Sequence, residues 1–193
     1  MNAMNYAVSA AEEIKEQLET VKSEQIVTFE KEILDAKRVF VCAAGRSLLA
    51  MKFFAMRLIQ FEIVTYLVGE VCTPSIGKGD LLIVGSGSGS TPTMYTVAEK
   101  AKKAGARVAL VTLNSEGKIA QFSDCVVQVG TRKIPESAMK YEEYDRDNFI
   151  TVRPSGNISE LATAILLDCV ACRLMLQRHM DLQTLKKNHA NLE

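Results

Sequence analysis

The residues richest in chemistry form one short stretch, Val84-Gly85-Ser86-Gly87-Ser88-Gly89-Ser90-Thr91-Pro92. Glycines, lacking a Cβ, let backbone N–H groups close on an anion, and the serine and threonine hydroxyls add further donors. Pro92 suits the first position of a helix, with Thr91 as its N-cap. Such a helix turns unpaired N–H groups and the positive end of its dipole toward a bound phosphate. The chemistry is anion capture without a lysine. Two other phosphate motifs do not fit: G-x-x-x-x-G-K-[ST] is absent. G-x-G-x-x-G begins well at Gly85 and Gly87 but meets serine at position 90, which disfavours a nucleotide-binding oxidoreductase. A flexible Gly/Ser turn would have the same composition; what favours a binding loop is its position between an apolar run and a helical one.

A second loop, Ala44-Gly45-Arg46-Ser47, leaves an apolar run in the same way. Arg46 offers a cation to a phosphate or to a developing enediolate oxygen, and Ser47 a hydroxyl to phosphate or to the next helix. A routine turn with a surface arginine is the competing reading. Farther on, Asn157-x-x-Glu160 precedes a long apolar pattern and fits a capping box with asparagine in the Ser/Thr place. Cys169 and Cys172 form C-x-x-C inside that pattern, with no second ligand pair, and read as ordinary core thiols. The two histidines, His179 and His189, are too few for a metal site. His179 reads as a helix-end histidine near the negative dipole end.

The elements that must position these residues follow from periodicity. Residues 4–34 carry Ile14, Leu18, Val21, Ile26, Phe29 and Ile33 near helical spacing and predict one amphipathic helix. Short apolar runs at 38–43, 63–68, 81–84, 107–112 and 125–129 predict buried strands. Helical patterns at 48–61 and 92–104 lie between them, the latter stopping at Gly105 in the left-handed cap position. Thr73-Pro74 marks a further helix start. Residues 131–150 are polar and long for a loop, suiting an excursion near the site or an assembly surface. An apolar helix over about 158–178 and a polar tail to 193 close the chain. Alternation of strand and helix predicts a parallel sheet covered on both faces.

The 193 residues suit a single domain, 1–193, with one sizeable core. Lys+Arg and Asp+Glu each number 23, and no basic block appears, so no nucleic-acid partner is expected. The N-terminus lacks a basic start followed by an apolar core, and no run approaches a membrane span, so neither signal peptide nor membrane partner is expected. Five cysteines without framework spacing favour a reducing, cytoplasmic setting.

Five motifs together carry a resemblance: GRS at 45–47, FAMRL at 54–58, VGE at 68–70 with Thr73-Pro74, SGSG-x-T at 86–91, and HANLE at 189–193. In this order, over nearly the whole chain, they resemble the 6-phospho-3-hexuloisomerase family of sugar isomerase (SIS) domains. The resemblance implies an α/β fold, a three-layer αβα sandwich of flavodoxin-like type with about five parallel strands. It implies interconversion of D-arabino-hex-3-ulose 6-phosphate and fructose 6-phosphate without metal or organic cofactor, in a homotetramer with sites at subunit contacts. Ser47, Ser86, Gly87, Ser88 and Thr91 then match phosphate-binding positions, and Gly45, Arg46, Ser90 and Asn157 lie toward the sugar. Glu160 matches the family's general base, and His189 a site residue delivered to a neighbouring subunit. Three differences stand out: Leu48 where the family usually has Gly, Ser90 where it has Glu, and Asn157 with Ser159 in place of Thr and Phe. They leave open an isomerase for another sugar phosphate, or a non-catalytic phosphosugar sensor.

Overall fold

The computed structural model describes residues 3–130, 158–189 and 191. The excursion expected at 131–150, together with Asn157 and most of the HANLE ending, lies outside the described residues.

Five strands, β1 (Val39–Ala43), β2 (Thr65–Leu67), β3 (Leu81–Gly85), β4 (Arg107–Thr112) and β5 (Cys125–Gln128), pair in parallel in the order β2-β1-β3-β4-β5. β1 and β3 are buried at every residue, as central parallel strands with two covered faces must be. Period-2 alternation sorts their side chains: Val39, Val41, Leu81 and Ile83 enter one core layer, Phe40, Cys42, Leu82 and Val84 the other. The first layer packs against helices α1 (Ala3–Glu19), α2 (Ser23–Leu34), α3 (Gly45–Gln60) and α5 (Ser159–Gln177). The second packs against α4 (Pro92–Lys103) and the 3-10 turn Ala120–Phe122. The result is the expected αβα sandwich. A short helix, α6 (Leu182–Lys187), capped by the Asp181 carboxylate accepting from the Thr184 N–H at 2.7 Å, ends the described fold. No helix of the described residues is long and apolar enough to cross a membrane.

Local signals held where backbone chemistry is self-contained. Gly105 takes φ +85 directly after α4, with the Ala106 N–H donating to Ala101 O and the Gly105 N–H to Lys102 O, the paired closure of a Schellman end. His179 ends α5 in the same way, at φ +53.

Four expectations are corrected. The single helix over 4–34 is two, broken at 20–22, which lets each short helix lay its own apolar stripe on the core: Ile14 and Leu18 from α1, Phe29 and Ile33 from α2. Thr73-Pro74 starts no helix. The Thr73 hydroxyl donates to Leu67 O and its N–H to Glu70 O, which closes a turn instead. Leu48 does not begin its helix, which already starts at Gly45. Cys169 and Cys172 are exposed, not core thiols. They fall on the outer side of α5, whose inner side (Ala162, Leu167, Val170, Ala171, Leu174) fills the core.

Candidate active site

β1 and β3 are neighbours, with Ala43 registered opposite Gly85 at their C-terminal ends. From β1 the chain crosses to β2 on one side, and from β3 to β4 on the other. This is the switch point where open parallel sheets open a crevice, and both loops singled out in the sequence leave the sheet there.

Three helices begin around the crevice. α3 starts at Gly45, Arg46 and Ser47, α4 follows the Ser86–Thr91 loop, and α5 starts at Ser159 and Glu160. None of the three N-cap residues (Ala44, Thr91, Ile158) makes a side-chain capping bond. At α3 and α4 the first N–H groups and positive dipole ends therefore remain open to an anion. Thr91 holds the expected N-cap position, but its hydroxyl turns to the loop, 3.0 Å from Ser86 Oγ and 3.4 Å from Ser88 Oγ. Ser86 is buried. The backbone N–H groups of Gly87, Ser88 and Thr91 have no partner among the described residues. Three hydroxyls and three free amides in one turn form a cradle for phosphate oxygens.

Ser47, Ser86, Gly87 and Glu160 line one cavity. Glu160 belongs to the first turn of α5, where a carboxylate complements the dipole. The Asn157 of the capping box read from sequence lies outside the described residues; the N-cap is Ile158, and Glu160 Oε1 accepts from Arg46 Nε at 2.5 Å. The Glu160 side chain is 12% exposed and that of Arg46 59%, so the carboxylate is the anchored partner and the guanidinium the movable one. Arg46 borders a separate groove of about 240 Å³ between α3 and α5, lined also by Leu49, Phe53, Leu161 and Ala164. Glu160 forms part of the wall of both.

Other expected residues are not gathered here. Ser90 Oγ accepts from the Lys118 N–H at 3.1 Å. His189 lies just past α6, where Asn188 Nδ2 donates to Gln60 O at 3.1 Å, at the far end of α3. Along that 16-residue helix the separation from Ser47 is about 20 Å. One chain does not bring His189 to Glu160. Conversely, Met51, Thr112 and Thr163 line the cavity without having been singled out. Thr163 follows Glu160 by three residues, the helical spacing that stacks side chains on one face, so that signal was available. Thr112 ends a strand and carried none.

The SIS domain family model matches residues 32–141. Over all 193 residues of both chains, the protein is 32% identical to 3-hexulose-6-phosphate isomerase of Bacillus subtilis (strain 168). It is 39% identical to the protein of the same name from Methylomonas aminofaciens, covering 82% of each chain. The chain belongs to the 6-phospho-3-hexuloisomerase family of SIS domains. A solved SIS-like structure, the hypothetical protein MJ1247 from Methanococcus jannaschii, superposes with a TM-score of 0.77 at 28% identity, over 97% of this chain and 98% of that one. A molecular function of 3-hexulose-6-phosphate isomerase was inferred for that protein from its structure. In this SIS domain the matched region contains both loops of the switch point, whereas Glu160 and His189 lie beyond it.

Proposed function

We propose that this SIS domain is a phosphosugar isomerase interconverting D-arabino-hex-3-ulose 6-phosphate and fructose 6-phosphate through an enediolate. The carrying observation is that Glu160 lines the same cavity as Ser47, Ser86 and Gly87, at the meeting of three uncapped helix starts. The relatives' names supply the substrate class.

Ser47, Ser86, Gly87, Ser88 and Thr91 hold the phosphate, with Gly45, Arg46 and Asn157 toward the sugar, while the Ser90 hydroxyl stays tied to the Lys118 N–H. Glu160 takes the proton from C2 of the hexulose. The C–H electron pair becomes the C2=C3 bond while the C3 oxygen gains charge, which Arg46 neutralises. A proton passes from the C2 oxygen to the C3 oxygen, Glu160 returns its proton to C3, and C2 becomes the carbonyl. Oxidation at C2 and reduction at C3 are internal to the substrate, so the balance needs no external oxidant.

His189 serves the oxygen-to-oxygen proton transfer from a second copy, since its own chain holds it at the far end of α3. A homotetramer accommodates this. Its support is an apolar face of Leu49, Phe53 and Met56 on α3 beside Ile165 and Leu176 on α5, all at least 45% exposed in one chain. Five free thiols support a cytoplasmic setting.

The test is solvent deuterium exchange into fructose 6-phosphate, followed by NMR. Exchange at C3 in the wild type, abolished in Glu160→Gln while phosphosugar binding persists, is the expected result. Binding without exchange in the wild type overturns the isomerase in favour of a sensor.

A further inference from the structure

The phosphate cradle is held in shape by a second loop. Gly87, Ser88, Gly89 and Ser90 each accept a hydrogen bond from the segment after β4: Leu113 N–H to Gly87 O at 3.1 Å, Asn114 Nδ2 to Ser88 O at 3.3 Å, Ile119 N–H to Gly89 O at 2.9 Å, and Lys118 N–H to Ser90 Oγ at 3.1 Å. All four run in one direction, with the second loop donating. A trans peptide points its N–H opposite to its C=O, so tethering Gly87 O turns the Ser88 N–H the other way. The brace leaves that amide, with those of Gly87 and Thr91, free for an anion.

The two loops meet at Gly89 and Gly117. A Cβ on Gly117 would stand 2.6 Å from both Gly89 Cα and Gly89 O. A Cβ on Gly89, whose φ is +62, would stand 2.8 Å from Asn114 O. These neighbours are backbone atoms with no rotamer to swing aside, so only a pair of glycines permits the approach. Gly117 is not among the glycines with positive φ, so alanine there is opposed by contact alone. Any larger residue must push the two loops apart and carry the cradle with them.

We infer that Gly117 is a positioning residue for phosphosugar binding: its missing side chain lets the second loop seat the cradle at the correct distance from Ser47 and Glu160. The inference rests on the proposed reading of the cradle as a phosphate site. It predicts that substitution acts on affinity more than on the chemical step, because Glu160 and Arg46 belong to α5 and α3, outside the braced loop.

The experiment compares wild type, Gly117→Ala and the control Gly77→Ala, whose added Cβ would meet nothing closer than 4.0 Å. Binding of fructose 6-phosphate and of inorganic phosphate is measured by calorimetry, with KM and kcat alongside. In Gly117→Ala both Kd values rise about tenfold or more, KM follows and kcat stays within about threefold, as overpacking against backbone implies. Gly77→Ala matches the wild type. Should Gly117→Ala fail to fold, Asn114→Ala removes the tether to Ser88 O without adding volume, and its Kd rises about threefold. A folded Gly117→Ala, or failing that an Asn114→Ala, with wild-type affinity for both ligands overturns the inference. Wild-type protein that binds phosphate but not fructose 6-phosphate overturns the proposed substrate while the phosphate comparison still decides the brace. Wild-type protein that binds neither removes both.

Discussion

Arg46 Nε donates to Glu160 Oε1 at 2.5 Å, tying the first turn of α3 to the first turn of α5 across 114 residues of chain. The pair joins a mostly exposed cation to a mostly buried carboxylate at the cavity rim.

Arg46 is expected to contribute little to stability and much to turnover. An ion pair with one exposed partner is worth at most about 1 kcal/mol, whereas one lost donor to a developing oxyanion costs about 100-fold or more in kcat. Arg46→Ala is expected to lower kcat by that order while thermal unfolding shifts only slightly. Arg46→Lys recovers little, because an ammonium does not reproduce the planar fork. Steady-state kinetics beside a melting curve decide it. A large drop in Tm with unchanged kcat would assign the pair to structure.

If His189 serves a neighbouring copy, as proposed, two inactive variants complement each other. Glu160→Gln and His189→Gln are each expected to be nearly inactive. Co-refolded in equal amounts, they regain up to about a quarter of wild-type activity, because random pairing joins an intact Glu160 to an intact His189 in that fraction of sites. Absence of any regain rules out a shared site.

Thiol reactivity reports the apolar face. Burial pushes the Cys42 thiol up to about 12 and, with Glu32 and Asp124 adding to it, Cys125 up to about 11. Neither carries appreciable thiolate at pH 8, so both label only on unfolding. Cys72, Cys169 and Cys172 are exposed in one chain. If α5 packs against a second copy, iodoacetamide modifies Cys72 rapidly while Cys169 and Cys172 are protected until the oligomer is dissociated. Equal labelling of all three in the native protein shows that this face of α5 stays open.

Acid stability depends on Asp80. It accepts from Arg38 Nε at 3.0 Å, Arg38 Nη2 at 2.6 Å and the Gly77 N–H at 2.8 Å, and the Arg38 guanidinium holds its carboxyl below the usual carboxylate range. A depressed folded pKa stabilises the fold above the unfolded value, about 3.9, and that contribution is lost as pH falls through the folded value. Asp80→Asn should melt about 5 °C below wild type at pH 7. The gap should persist to about pH 4 and close below it, as scanning calorimetry across pH would show.

Strand-and-helix order, the left-handed stop at Gly105 and the loop of glycines and hydroxyls between β3 and α4 were legible in the residues, because periodicity and turn chemistry are local properties of the chain. So was the family, through motifs whose order survives without coordinates. Which loops face one another was not. The Arg46–Glu160 pair and the contact of Gly89 with Gly117 depend on strand order and on how α3, α5 and the β4 loop pack, and no local pattern encodes a meeting of residues so far apart. Packing also split the 4–34 pattern into two helices, since a single straight helix has one apolar stripe and this core takes two. It turned Cys169 and Cys172 outward because α5 needs only its inner face for the core. Sequence named candidate groups for binding a phosphate and moving a proton, and tertiary structure decided which of them share a cavity.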